Sequence, residues 1–180
     1  MNLYPNAYYD RVYESLVEIE SSLHGTLQPQ VAIGGILELL AHFLQFHQGR
    51  VLINKPESMS LTIAYAHDLS QSQISHGIYR AGEGLTGKLL ENETPILALN
   101  VFDNPVYLGR VNPRSELPYP NASYIAFPIR NDQHQLLGAC AFISGRYVPE
   151  QCEQDLRLLT IATNTVGLCL QRISANDHQD

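Results

Sequence analysis

The sequence predicts one α+β domain: a central, mostly antiparallel sheet of five to six strands with the N- and C-terminal helices packed on one face. Three observations carry this. Apolar residues recur at helical spacing at both ends of the chain and at period two through the middle. The strand-like runs are joined by short polar turns, which makes neighbours antiparallel. Charge is partitioned the same way. Residues 1–48 hold five acids and one base, residues 49–148 eight of each, and residues 149–180 five acids and two bases.

With 180 residues the chain is one domain, or one domain with helical extensions, and too short for two of roughly 100–200 residues each. At 44% hydrophobic and 16% charged residues it can bury a core. A net charge of −7 argues against a nucleic-acid surface, which needs clustered Lys and Arg. The cysteines, Cys140, Cys152 and Cys169, are odd in number and lack metal-type spacing. Cys140 and Cys169 stand in apolar runs and read as buried free thiols. No run approaches the roughly 20 apolar residues of a membrane span, and the N-terminus lacks signal-peptide features. The expectation is a cytoplasmic protein with no cofactor, no metal, and no direct nucleic-acid or membrane contact.

Residues 7–24 predict a helix whose Val12, Leu16, Ile19 and Leu23 form a narrow seam, stopped by Gly25. Pro29 suits the first turn of a second helix, with an apolar stripe from Val31 to Leu44 and an end near Gln48. Gly34-Gly35 within it costs roughly 1 kcal/mol per Gly relative to Ala, which suggests close packing there. Strands follow at 50–54 and 60–67, around a loop at 55–58. Strict alternation puts Leu61, Ile63, Tyr65 and His67 on one face of the second strand. The small Thr62, Ala64 and Ala66 fall on the other, where a helix should pack. Residues 74–79 read as a short strand. Arg80–Glu91 is a glycine-rich turn entering a short helix near Leu85, and 94–98 is a strand. Residues 100–120 carry four prolines and form a long loop with at most one helical turn; such loops are usually functional. Strands at 122–130 and 136–144 flank the turn 131–134. A last helix opens at Pro149-Glu150 and runs to about Ile173. It has two apolar stripes, so two sides must be covered: one by the sheet, the other by the first helix, a second subunit, or both.

Four stretches carry a family resemblance: Ile63-Ala64-Tyr65-Ala66-His67-Asp68-Leu69-Ser70; Tyr79-Arg80-Ala81-Gly82-Glu83-Gly84-Leu85-Thr86-Gly87-Lys88; Pro95-Ile96 with Asn104–Arg110; and Ser123–Ile129 with Leu136-Leu137-Gly138. Over residues 30–172 the chain resembles a GAF domain, a GAF/PAS-like fold, and in particular the N-terminal sensory GAF domain of NifA-type, sigma-54-dependent transcriptional activators. Asp68 replaces the glycine usual in the first stretch. The resemblance implies a small-molecule-sensing regulatory module, with a small anion such as 2-oxoglutarate as effector. It also implies a homodimer through the terminal helices and control of a downstream AAA+ domain in a longer chain. This sequence contains no phosphate-loop motif of its own. It divides into a coupling or dimerisation helix (1–27), the GAF domain (28–173) and a polar tail or linker start (174–180), whether as an excised domain or a standalone protein. Two alternatives stand beside this reading: a dimerisation-only GAF module, and a standalone GAF-type methionine sulfoxide reductase. The reductase needs cysteines in the glycine-rich turn and the long loop, and there are none there.

The expected pocket lies between the outer face of the sheet and a cover made by residues 80–90 and 100–120. The candidate ligand-binding residues are Tyr65, His67, Arg80, Gly84, Thr86, Phe102, Tyr107, Arg110, Tyr124 and Phe127. A buried arginine there would need an anionic partner or several hydrogen-bond acceptors; Arg110 is the first choice and Arg80 the second, with Arg114 left as an exposed loop charge. The Gly82-Glu83-Gly84 run either cradles an anion with backbone N–H groups or supplies turn geometry.

Overall fold

The computed structural model describes residues 6–23, 25, 27–145 and 152–177. Helices α1 (Asn6–Leu23) and α2 (Pro29–Leu44) lead into β1 (Phe46–Lys55) and β2 (Ser60–Ala66). Then come α3 (Gln71–Ser75), β3 (Ile78–Arg80), α4 (Gly84–Asn92) and β4 (Ile96–Ala98). A loop with one 3-10 turn (Arg114–Glu116) reaches β5 (Ser123–Arg130), β6 (Leu136–Ser144) and α5 (Cys152–Asp177). The six strands run in the order β3-β2-β1-β6-β5-β4, each antiparallel to its neighbours. The expected class stands, and the expected elements keep their order with α3 added between β2 and β3.

Several boundaries move for local reasons. Helix α2 ends a turn before Gln48, because Gln45 takes a left-handed φ of 53° and delivers the chain directly into β1. Residues 71–75 are helical. Ser70 and Gln73 form a capping box, each side chain accepting the other's backbone N–H, at 3.3 and 2.9 Å. The strand expected at 74–79 is reduced and shifted to Ile78–Arg80. Helix α5 continues through 174–177, where a polar tail was expected; the expected opening at Pro149-Glu150 lies outside the described residues.

Strand parity divides the apolar residues into two cores. One, between sheet and helices, joins Val12, Leu16, Ile33, Ile36, Val51, Ile125, Phe142 and Val166 with their neighbours. The other lies on the opposite face, under α4 and the long loop, and includes Leu52, Leu61, Tyr79, Val101, Tyr107 and Tyr124. The seam of α1 is therefore used within the chain. Val12, Leu16 and Leu23 are buried against α2 and α5, and Tyr9 donates to Asp155 of α5 at 2.8 Å. Contrary to expectation, that seam does not wait for a second subunit. Gly34 and Gly35 do not mark close packing either, since a Cβ at each would meet nothing within 4 Å.

The alternation expected along β2 fails at one residue. Val51 pairs with Tyr65 and Leu52 with Ile63, so Ala64 is an extra residue, a β-bulge. Leu61 and Ile63 face the second core, but past the bulge Tyr65 packs with the helix-side core and Ala66 with the outer one. Small residues mark the outer face, not the helix face as inferred. Ala126, Ala139 and Ala141 are buried there, and Ala141 pairs with both Ala126 and Arg50.

Candidate functional site: a buried arginine under the long loop

Arg50 stands two residues before Leu52 on β1 and shares its face, over the floor of alanines. It is 1% exposed. Its Nη1 donates to Asn112 Oδ1 at 2.8 Å and to the Gln48 carbonyl at 3.1 Å. The Tyr124 ring lies 5.4 Å from the guanidinium carbon. Its Nε is buried and has no hydrogen-bond partner. None of the ion pairs among the described residues includes Arg50. A guanidinium does not give up its proton in a protein. A full positive charge is therefore buried against neutral partners alone, an arrangement that ordinarily costs several kcal/mol.

Hydroxyls surround it. Tyr79 comes from β3, Thr86 from the first turn of α4, Tyr107 from the loop and Tyr124 from β5. Thr86 Oγ1 and the Tyr124 hydroxyl lie 2.7 Å apart, and Tyr107 donates to the Asn112 carbonyl at 2.7 Å. Burial raises the pKa of Tyr79 and that of Tyr107, against the opposing charge of Arg50, so both phenols stay protonated at neutral pH. The free space among these groups is small, about 10 Å³.

Arg110 closes the rim. Its Nη2 and Nη1 bind Glu83 at 2.6 and 3.2 Å, Nη1 also donates to the Ile78 carbonyl, and the guanidinium lies 5.1 Å from the Tyr79 ring centre. The hydrogen bonds from Arg110, then that from the Arg80 backbone, hold Glu83 at about 2. Arg110 therefore already has its carboxylate. Gly82 and Gly84 take φ of 75° and 66°, so these glycines do supply turn geometry. A Cβ at Gly84 would also strike Leu108, which covers the cavity.

The structure gathers four of the ten expected residues at the cavity: Thr86, Tyr107, Arg110 and Tyr124. Gly84 stands just behind, shaping the cover. Arg80 is exposed and contributes only backbone, and Phe102 is exposed on the loop. Tyr65 and Phe127 belong to the helix-side core, turned there by the bulge and by strand parity. His67 lies 3.3 Å from Asp68 in a surface groove beside α2. Arg114 is no free loop charge. It donates to the Val101 and Asn104 carbonyls at 3.0 and 2.8 Å and lies 5.2 Å from the Tyr107 ring centre, fixing the loop. Sequence reasoning missed Arg50, Tyr79 and Asn112. The available signal for Arg50 was a lone charge in the run Arg50-Val51-Leu52-Ile53, in phase with Leu52.

Cys140 and Cys169 are buried on the helix side, and burial pushes their thiols up to about 12 and about 11. That is the opposite of what a thiolate nucleophile needs. Among the described residues no group of three or more His, Cys, Asp or Glu could hold a metal ion. No described helix is long and apolar enough to cross a membrane.

Comparison with known proteins agrees with the geometry. The GAF domain family model matches residues 28–170. The Nif-specific regulatory protein of Herbaspirillum seropedicae is 30% identical over 154 residues, 85% of this chain and 28% of that protein. Nitrogen fixation protein AnfA of Azotobacter vinelandii is 26% identical over 152 residues, 84% of this chain and 28% of that protein. The chain thus spans less than a third of the length of either protein. Among solved structures, the A. aeolicus nlh2 GAF domain in an inactive state superposes with a TM-score of 0.75 at 20% identity, covering 92% of this chain and 96% of that one. The free methionine-R-sulfoxide reductase from Neisseria meningitidis, in complex with its substrate, superposes at 0.68 and 14% identity, covering 95% and 94%. At these identities the structural likeness speaks for the fold alone.

Proposed function

Because the chain belongs to the GAF domain family, and its sequence relatives include Nif-specific regulatory proteins, we propose that it is a sensory module whose effector is a small anion bound at Arg50. The carrying observation is the buried guanidinium with no counter-ion among the described residues and an unpartnered Nε. A carboxylate can accept from a guanidinium through two parallel hydrogen bonds, which makes Arg the residue of choice for it. The hydroxyls of Tyr79, Thr86 and Tyr124 are placed to orient the rest of a small polar molecule. 2-Oxoglutarate fits this chemistry and the regulatory relatives. Within a longer cytoplasmic activator of that kind the module would govern a AAA+ domain, itself binding no nucleic acid. The cavity lining contains no cysteine, which disfavours the reductase reading.

For the homodimer expected from the terminal helices, we propose the outer face of α5 as the contact surface. Ile161, Asn164, Leu168, Gln171 and Ala175 recur at spacings of three and four. Ile161 and Leu168 are 37% and 36% exposed.

The test is a thermal-shift and calorimetric titration of the 180-residue chain with 2-oxoglutarate, succinate and inorganic phosphate. An effector at 100 times its Kd adds about 2.7 kcal/mol of stability, and Arg50→Ala should remove that gain. A response that survives Arg50→Ala places the effector elsewhere. No response to any of the three anions leaves the dimerisation-only reading.

A further inference from the structure

Asn112 is only 2% exposed although it belongs to a loop, and the residue is held at three points, two of them on its side-chain amide. Oδ1 accepts from Arg50 Nη1 at 2.8 Å and Nδ2 donates to Gln48 Oε1 at 2.6 Å. Its backbone carbonyl accepts the Tyr107 hydroxyl at 2.7 Å. Gln48 thereby fixes which way the amide faces, with the oxygen toward the guanidinium. An amide oxygen is the neutral counterpart of one carboxylate oxygen. It satisfies one N–H of Arg50 but brings no charge, and Nε remains without an acceptor. The free space of about 10 Å³ is room for about one water and far too little for a carboxylate with its carbon chain. An anion that reaches Arg50 has to displace part of this lining, and Asn112 is the lining side chain that already accepts from the guanidinium.

We propose that Asn112 is a tethered competitor for the anion seat: its amide holds the position of one effector oxygen on Arg50, and a small oxyanion binds by displacing it. This rests on the reading of Arg50 as that seat. The exchange replaces one neutral acceptor by a charged group with two, which favours the effector, while the high local concentration of the tethered amide opposes it. Asn112 thus sets the concentration at which the site responds. Displacement also breaks the Asn112–Gln48 bond, so occupancy changes how the loop carrying Tyr107 and Arg110 is held to β1.

Calorimetry on the 180-residue chain, with 2-oxoglutarate, succinate and inorganic phosphate as probes, tests this, with melting curves confirming that each variant folds. Asn112→Ala should bind its best probe about tenfold tighter or more, the worth of one charge-assisted hydrogen bond. Asn112→Asp supplies the carboxylate in cis and should bind at least about tenfold weaker. Gln48→Ala, which leaves Asn112 in place but unoriented, should tighten binding less and serves if Asn112→Ala does not fold. The three probes separate carboxylate from phosphate chemistry. If wild type responds while folded Asn112→Ala or Gln48→Ala binds no tighter, or Asn112→Asp binds as well, the competitor is overturned and the seat stands. If neither wild type nor the two tightening variants respond to any probe, the seat itself is overturned.

Discussion

Position 50 asks for a guanidinium, not merely a cation. Arg50→Lys keeps the charge but gives up the planar fork, and should weaken a carboxylate probe by about 1.5–3 kcal/mol in calorimetry, with the fold retained. At the rim, Glu83 behaves oppositely from a free carboxylate. Arg110 holds it at about 2, below the ordinary 4.5. A depressed folded value means that the pair's contribution is present above the unfolded pKa and is lost as pH falls from there through about 2. Arg110→Ala should return Glu83 toward the ordinary range in an NMR titration; an unmoved Glu83 would show that the Arg80 backbone bond alone sets it. These assignments were only half legible in the sequence. Arg110 was visible because it stands in a matching motif, whereas Arg50 sits in a strand where an arginine usually marks an edge or a solvent face. Its burial depends on Asn112, sixty-two residues away along the chain, and a single sequence cannot show that pairing.

Among the elements, periodicity identified the helices and the hairpins because each buries one face. It failed where geometry departs from period. The bulge at Ala64 re-aimed Tyr65, and the capping box at Ser70 outweighed the strand-like pattern that follows it. The bulge is testable. Deleting Ala64 joins Ile63 directly to Tyr65 opposite Leu52 and Val51, so every neighbour keeps its face and melting should stay cooperative. Deleting Thr62, in the regular part of the ladder, should destabilise strongly by driving Leu61 out of its core. The glycines divide in the same way. Gly34→Ala and Gly35→Ala, with open space at each Cβ, should each stabilise α2 by up to about 1 kcal/mol in denaturant unfolding. Gly87→Ala, whose Cβ would collide with the Arg80 carbonyl, should cost about 1–3 kcal/mol.

For the whole molecule, the two helix-lined surfaces differ in what a charge would do. Leu16→Glu puts a carboxylate into the core between α1, α2 and α5 and should unfold the chain. Ile161→Glu with Leu168→Glu should leave the fold intact and convert a dimer to monomer in sedimentation velocity. A wild-type chain that sediments as monomer at micromolar concentration removes the α5 interface. Arg50 is a buried charge held by neutral partners. Apolar side chains of similar volume often replace buried charges at no cost or with a gain. Random variants of this chain selected only for heat resistance should therefore collect Met or Leu at position 50, and those survivors should be deaf to the effector.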